Sequence, residues 1–217
     1  MIANTPDVLT ETTAEFAIAL TLALLRRVVE GDRFLRARRS WGFGVEFMLG
    51  EGLAGKRFAV VGPGRIGRAT ARLAEAFGAA PVFAGRADNL TAVLESADVV
   101  SLHAPLTPET RHLIDAAALA AMRPEAVLVN TSRGAVVDER ALVVALRRRA
   151  IAGAALDVHE HEPEVAAELL SMDNVVVTPH LGSATRETRA AMGMLAVSAL
   201  RSVLLEHRTP ANVVSAT

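Results

Sequence analysis

The sequence predicts a doubly wound α/β fold, a parallel sheet with helices on both faces, and three observations support this. The first is the stretch from Phe58 to Gly78, where an apolar run of strand length breaks into Gly62, Gly64 and Gly67 at G-x-G-x-x-G spacing. It resumes with Ile66, Ala69, Leu73 and Phe77 on one helical face, giving strand, tight turn and helix. The second is that short apolar strands alternate with helical stretches over the rest of the chain, the pattern of a parallel sheet buried on both faces. The third is that polar residues gather just past the strands, where such sheets bind their ligands.

Each element follows from local chemistry. Thr10-Glu11-Thr12-Thr13-Ala14-Glu15 reads as capping residues ahead of a helix running to about Arg39. Its apolar positions, among them Phe16, Leu20, Ala23 and Val28, spread around much of its circumference, which predicts burial between two bodies. A glycine-rich stretch from Trp41 to Leu53 then leads to the first strand at Phe58. Further strands are predicted at Pro81–Ala84, Asp98–Leu102, Ala126–Asn130, Ala152–Asp157 and Asn174–Thr178. Helices are predicted at Leu90–Ser96, Ala116–Met122 and Glu139–Arg149, and from about Arg186 to Glu206. Residues 1–183 are expected to form the cofactor domain, and residues 184–217 a closing helix and tail.

Composition narrows the function classes. The 217 residues carry a formal net charge of −1 and 51% hydrophobic residues, which leaves no electrostatic footprint for nucleic acid or an anionic membrane. No cysteine is present, so disulfides, thiolate nucleophiles and thiolate-held zinc are excluded, compatibly with a reducing compartment. The apolar run Ile18–Leu25 is too short to span a bilayer, and the expected location is the cytoplasm.

The glycine turn suits a pyrophosphate. Gly62 permits the turn, Gly64 lets the backbone approach the anion, Gly67 lets helix and strand pack closely, and the helix N-terminus offers unpaired N–H groups. Past the later strands stand Arg133, Glu162 and His180. Arg133 can hold a carboxylate or polarise a carbonyl through a forked contact, His180 can exchange a proton with a hydroxyl oxygen, and Glu162 can favour the imidazolium and orient its ring. Taken singly, these three read as a surface cation, a solvated carboxylate and a loop histidine; their joint placement past separate strands of one sheet points to hydride transfer to a carbonyl acid. His159 and His161 lie one residue apart but have no third ligand motif, so no metal is expected.

The chain resembles the D-isomer-specific 2-hydroxyacid dehydrogenase family. The resemblance runs through Thr5–Glu11, the GPGRIG turn, LHAPLTPETRHLI from Leu102, NTSRGAVVDE from Asn130, ALDVHEHEP from Ala155 and TPHLGSAT from Thr178. It implies that Arg133, Glu162 and His180 are catalytic, that Gly62, Gly64, Arg65, Ile66 and Gly67 line the pyrophosphate, and that Asp157 meets the nicotinamide amide, although Asp157 can also be read as capping the turn that follows it. His103, Pro105, Thr131 and Ser183, each just past a strand, complete the expected cofactor contacts. The implied substrate is a small 2-keto or 2-hydroxy acid such as glyoxylate, hydroxypyruvate or pyruvate, and the implied assembly a homodimer. A non-catalytic dimerising module that binds NAD(P), or a cofactor-sensing regulator, is the alternative.

Two departures stand out. Where an NAD site expects an acid after the second strand, this sequence has Gly85 and Arg86, which favours the 2′-phosphate of NADP, while Asp88 leaves NAD open if the strand ends later. In addition, the substrate-domain segment that opens full-length relatives is expected to be missing, leaving the face of Met192, Leu195, Ala196, Ala199 and Val203 on the last helix partly uncovered.

Overall fold

In a computed structural model, which describes residues 1–214, six parallel strands lie in the order β2-β1-β3-β4-β5-β6. They are β1 (Arg57–Val61), β2 (Ala80–Ala84), β3 (Val99–Leu102), β4 (Val127–Asn130), β5 (Gly153–Leu156) and β6 (Val175–Val177). The helices are α1 (Thr10–Leu25), α2 (Val28–Arg36), α3 (Arg65–Ala76), α4 (Leu90–Ser96), α5 (Ala116–Ala121), α6 (Glu139–Arg147), α7 (Ala167–Leu170) and α8 (Arg186–Leu204). From β1 the chain steps outward to β2 and then returns to lay β3 on the other side of β1, so the order reverses between β1 and β3 and opens a crevice at their carboxyl ends.

Period-two alternation sorts the strand residues onto two cores. Phe58 and Val60 of β1 join Val99, Val127, Val129 and Val176 beneath α1 and α3, while Ala59, Val61, Val100, Leu102 and Leu128 face Leu94, Leu119, Leu142 and Leu169 on the other side. Each fully buried Leu, Val or Phe stabilises the fold by roughly 1.5–3 kcal/mol relative to exposure. Helix starts are marked by side-chain caps: Asn89, Asp115, Asp138 and Thr185 accept from the backbone N–H of Ala92, Ala118, Ala141 and Thr188.

The structure differs from the sequence reading at four places. The first predicted helix is two: Arg27 takes a left-handed conformation (φ 54°) and grips Glu30 through both guanidinium arms at 2.6 Å, which starts α2 on a new axis. On α3 the buried face is Gly67, Thr70, Ala71 and Ala74 together with Ala69, and Phe77 is half exposed; the small residues pack inward because the helix lies directly on the strand. On α8 the predicted face is partly uncovered as expected, with Ala196 and Val203 exposed and Met192 and Leu195 half-buried, but Ala199 is buried and the larger exposed residues, Met194, Val197, Leu200 and Leu204, lie outside that face. Helix α7 and a 3-10 turn at Gly134–Val136 were not predicted; both are shorter than two helical turns, too brief to show periodicity. No helix among the described residues is long and apolar enough to cross a membrane.

Candidate active site

The crevice between β1 and β3 is held open by close backbone approach. A Cβ on Gly62, whose φ is +89°, would lie 2.6 Å from the amide nitrogen of Ala104, and one on Gly67 would lie 2.5 Å from the carbonyl oxygen of Gly62. Any side chain at these two positions would push the turn away from the sheet or α3 away from the turn. Gly64, at the start of α3, faces open space, and the first turn of α3 carries no acidic residue. The free N–H groups and the positive end of the helix dipole are therefore available to an anion.

This turn forms one wall of a cleft of about 650 Å³. Arg65, Ile66, His103, Pro105, Thr131 and Arg133 line it, together with the N-terminal segment around Asp7. Arg65 forms an exposed ion pair with Asp7. The His103 ring sits against the Ser101 hydroxyl at 2.9 Å, and burial pushes its pKa down to about 4, so it is neutral at physiological pH. The Thr131 hydroxyl is buried and has no hydrogen-bond partner among the described residues. An orphaned hydroxyl, a bare helix N-terminus and an open glycine along one cleft fit a dinucleotide, whose polar edges would satisfy them.

Arg133 follows β4 on a turn that Asn130 ties down. Asn130 accepts from the backbone N–H (3.0 Å) and hydroxyl (2.9 Å) of Ser132, and donates to the carbonyl of Arg133 at 3.0 Å. The Arg133 side chain is exposed in the cleft, with one guanidinium N–H on the carbonyl of Ser132 at 2.7 Å and the rest of its fork free for an acid.

Glu162 and His180 come from the loops after β5 and β6 and lie outside the residues lining that cleft. Nδ1 of His180 is 3.0 Å from Oε2 of Glu162. Partial burial opposes ionisation of Glu162, but its hydrogen bonds to His180 and to the backbone N–H of His159 outweigh this and hold its carboxyl below the usual range. His180 has a left-handed backbone (φ 56°), a conformation histidine adopts more readily than most residues but one that still needs support.

Asp157 supplies that support. It is 1% exposed; its backbone carbonyl accepts the His180 N–H at 2.8 Å, and its carboxylate accepts the Thr178 hydroxyl (2.6 Å) and the N–H groups of Leu181 and Gly182 (both 2.7 Å). Asp157 thus caps the turn that carries His180, a different turn from the one directly after Asp157 where the sequence reading placed its cap. Thr178 and Asn130, which escaped the sequence reading, are the other supports; a side chain serving only its neighbour's backbone leaves no pattern in the sequence.

Gly85 and Arg86 follow β2, and Ser183 follows the His180 turn. β2 ends at Ala84, and Asp88 folds back so that its carboxylate accepts the N–H of Gly85 at 2.7 Å. The later strand end that would have kept Asp88 free for a ribose does not occur. His159 is buried, with Nε2 3.2 Å from the carbonyl of Thr178, whereas His161 is exposed, so the two rings do not converge.

The family model for the D-isomer specific 2-hydroxyacid dehydrogenase, NAD binding domain, matches residues 18–182. The glyoxylate reductase of Thermococcus litoralis is 45% identical over 211 residues, covering 89% of this chain, and that of Aeropyrum pernix is 44% identical across 99% of it. The chain spans 64% and 69% of the lengths of these two relatives. Among solved structures, an NADPH-dependent glyoxylate/hydroxypyruvate reductase from Sinorhizobium meliloti in complex with NADP and malonate superposes with a TM-score of 0.86 at 36% identity, over 99% of this chain and 72% of that one. A Thermus thermophilus protein reaches 0.93 at 46% identity, over 98% and 71%.

Proposed function

The chain belongs to the D-isomer-specific 2-hydroxyacid dehydrogenase family, and from that premise we propose that it takes part in the reduction of a small 2-keto acid, of the glyoxylate or hydroxypyruvate kind, by NADPH. The observation that carries this reading is the 3.0 Å contact between Glu162 and His180 at the carboxyl edge of a sheet whose first turn is built for a pyrophosphate. When bound, the nicotinamide supplies a hydride for the carbonyl carbon. His180 delivers the proton to the carbonyl oxygen, Glu162 balances the imidazolium and fixes its ring, and Arg133 holds the substrate carboxylate through its free fork.

Gly62, Gly64, Arg65, Ile66 and Gly67 hold the pyrophosphate in this reading, and His103, Pro105, Thr131 and Ser183 line the rest of the cofactor. The Asp157 carboxylate uses three of its acceptor positions on the His180 turn and keeps capacity for the nicotinamide amide. Arg86 selects NADP: it lies two residues past the end of β2, where an NAD site expects an acid, and Asp88, two residues further on, turns its carboxylate to the Gly85 N–H.

The assembly we infer is a homodimer. Trp41 and Phe43, 59% and 94% exposed, stand on the segment after α2 beside Phe47, whose ring packs on Trp41 and Phe34. Such a patch suits a second copy of the chain. The activity is tested by steady-state oxidation of NADPH and NADH with glyoxylate, hydroxypyruvate and pyruvate; turnover of none of them with either cofactor rejects it.

A further inference from the structure

The loop that carries Glu162 holds a second carboxylate–imidazole pair. Two residues earlier, Oε1 of Glu160 lies 2.6 Å from Nε2 of His112 and accepts from the Arg111 guanidinium at 3.2 Å. Unlike Glu162, the Glu160 side chain is buried, only 8% exposed. It belongs to a reciprocal clamp: its Oε2 accepts the backbone N–H of Glu139 at 3.3 Å, and its own N–H donates to the Glu139 carboxylate at 3.1 Å, which also takes the N–H of Ala166 at 3.3 Å. Burial works against its charge, but the bond from His112 and the N–H of Glu139 still hold the Glu160 carboxyl below the ordinary range.

His112 reaches the other catalytic turn. Its backbone N–H donates to the carbonyl of Ala135 at 2.8 Å, two residues beyond Arg133, from a left-handed conformation (φ 53°). Between these two anchor points the turns are in direct contact: a Cβ on Gly134 would fall 1.9 Å from the carbonyl carbon and oxygen of His159. The backbone at Gly134 is therefore packed directly against the peptide leading into Glu160. The Arg133 turn and the Glu162 loop come from different strands, and Glu160, His112 and the bare Gly134 fasten one to the other.

We propose that Glu160, held by His112, is a positioning residue for the reaction assigned above, fixing the Arg133 turn and the Glu162 loop relative to each other so that carboxylate capture and proton delivery occur in one geometry. The proposal rests on that reading of the function. Positional errors of the order of 1 Å in such groups cost about 100-fold in rate. A positioning residue acts through its neighbour, so its effect should vanish once that neighbour is disabled, whereas general loosening of the fold would add to any other lesion.

The experiment is a double-mutant cycle with the whole protein, using glyoxylate and NADPH. Glu160→Gln keeps the size of the side chain but loses the charge-assisted bond to His112. It is expected to lower kcat about 10-fold with NADPH affinity unchanged, and to lower it by less than about 2-fold further when Glu162 is already Gln. Equal losses in both backgrounds, or no loss in kcat, overturn the proposal. Should Glu160→Gln fail to bind NADPH, His112→Asn breaks the same contact from the other side and is read by the same cycle. Amide hydrogen exchange gives a readout independent of turnover: either variant should speed exchange in residues 133–136 and 159–164 together and leave β1 and α3 as they were. Exchange that rises in residues 159–164 alone overturns the fastening. If the unaltered protein reduces no 2-keto acid, the functional reading fails, and the exchange result alone decides whether the two turns are fastened.

Discussion

Oε2 of Glu162 stands 3.0 Å from Nδ1 of His180, joining two side chains 18 residues apart whose loops leave neighbouring parallel strands. Because Glu162 is held below the ordinary carboxylate value of 4.5, partial burial notwithstanding, it is ionised throughout the neutral range. Glu162→Gln is expected to lower kcat with glyoxylate by about 100-fold, the scale of one positioned acid–base group, while His180→Ala lowers it at every pH. The sign for stability follows from the depressed folded value: the contribution of Glu162 is fully present above the unfolded value and is lost as pH falls through the folded one. Thermal melts taken from pH 6 down to pH 3 should therefore show a smaller decline for Glu162→Gln than for the unaltered protein. A matching decline would mean that the contact to His180 contributes nothing to the fold.

Arg133 lines the cleft and donates one guanidinium N–H to the carbonyl of Ser132. Replacing it with Ala should raise KM for the keto acid and lower kcat/KM by about 10- to 100-fold, the loss of one charge-assisted hydrogen-bonded contact, with NADPH binding unaffected. Arg133→Lys should recover only part of the loss, since a point charge cannot fork. Fluorescence titration of NADPH provides the control, and a fall in cofactor affinity equal to the fall in kcat/KM would place Arg133 on the cofactor.

Arg86 is expected to choose the cofactor. Arg86→Ala should weaken NADPH by about 1.5–3 kcal/mol, the worth of a hydrogen bond to a charged group, and leave NADH within experimental scatter. Isothermal titration of both cofactors checks this, and equal losses for the two would remove Arg86 from the 2′-phosphate.

His103 is a half-buried base whose pKa desolvation lowers to about 4. Between that value and an ordinary histidine near 6.5, the unfolded chain binds a proton that the folded chain refuses, so stability declines as pH falls through this window and levels off below it. His103→Gln should flatten the melting temperature between pH 6.5 and pH 4. An identical slope in the two proteins would show that carboxylates account for the whole decline.

The aromatic segment after α2 should govern association. Sedimentation of the unaltered protein at micromolar concentration is expected to give a dimer, and Phe43→Asp, which puts a charge on a ring that is 94% exposed, to give a monomer with the same melting cooperativity. A monomer before any substitution would disprove the assembly.

Much of this was legible in the primary structure, for identifiable reasons. The GPGRIG turn announces itself because close backbone approach leaves glycine as the one residue that fits, and the contacts at Gly62 and Gly67 are of that kind. Strands β3 to β5 are largely apolar, interrupted only by Ser101 and Asn130, because both faces are buried. Local patterns of this sort need only a few neighbouring residues to be recognised. The break at Arg27 had no such pattern, because it depends on a backbone reversal held by a side-chain fork. The buried face of α3 was only partly assigned for a related reason: Ala69 is buried and Leu73 packs at the core's edge, but Phe77 stands half exposed, and where the helix lies closest to the strand the buried residues are Gly67, Thr70, Ala71 and Ala74.

By itself the sequence determined the strand order of events along the chain, the dinucleotide turn, and the identity of Arg133, Glu162 and His180 as the residues with chemistry to offer, since each of these is encoded in a short contiguous run. The pairing of Glu162 with His180 was also expected from the sequence, and the structure places them 3.0 Å apart. Only the tertiary structure decided how the rest is held: it gave Asp157 and Thr178 to the turn beneath His180, folded Asp88 onto the Gly85 N–H, and set Glu160 and His112 between the Arg133 turn and the Glu162 loop. Those outcomes rest on hydrogen bonds between loops of different strands, and their geometry is set by sheet register and by backbone groups that bear no mark of residue type.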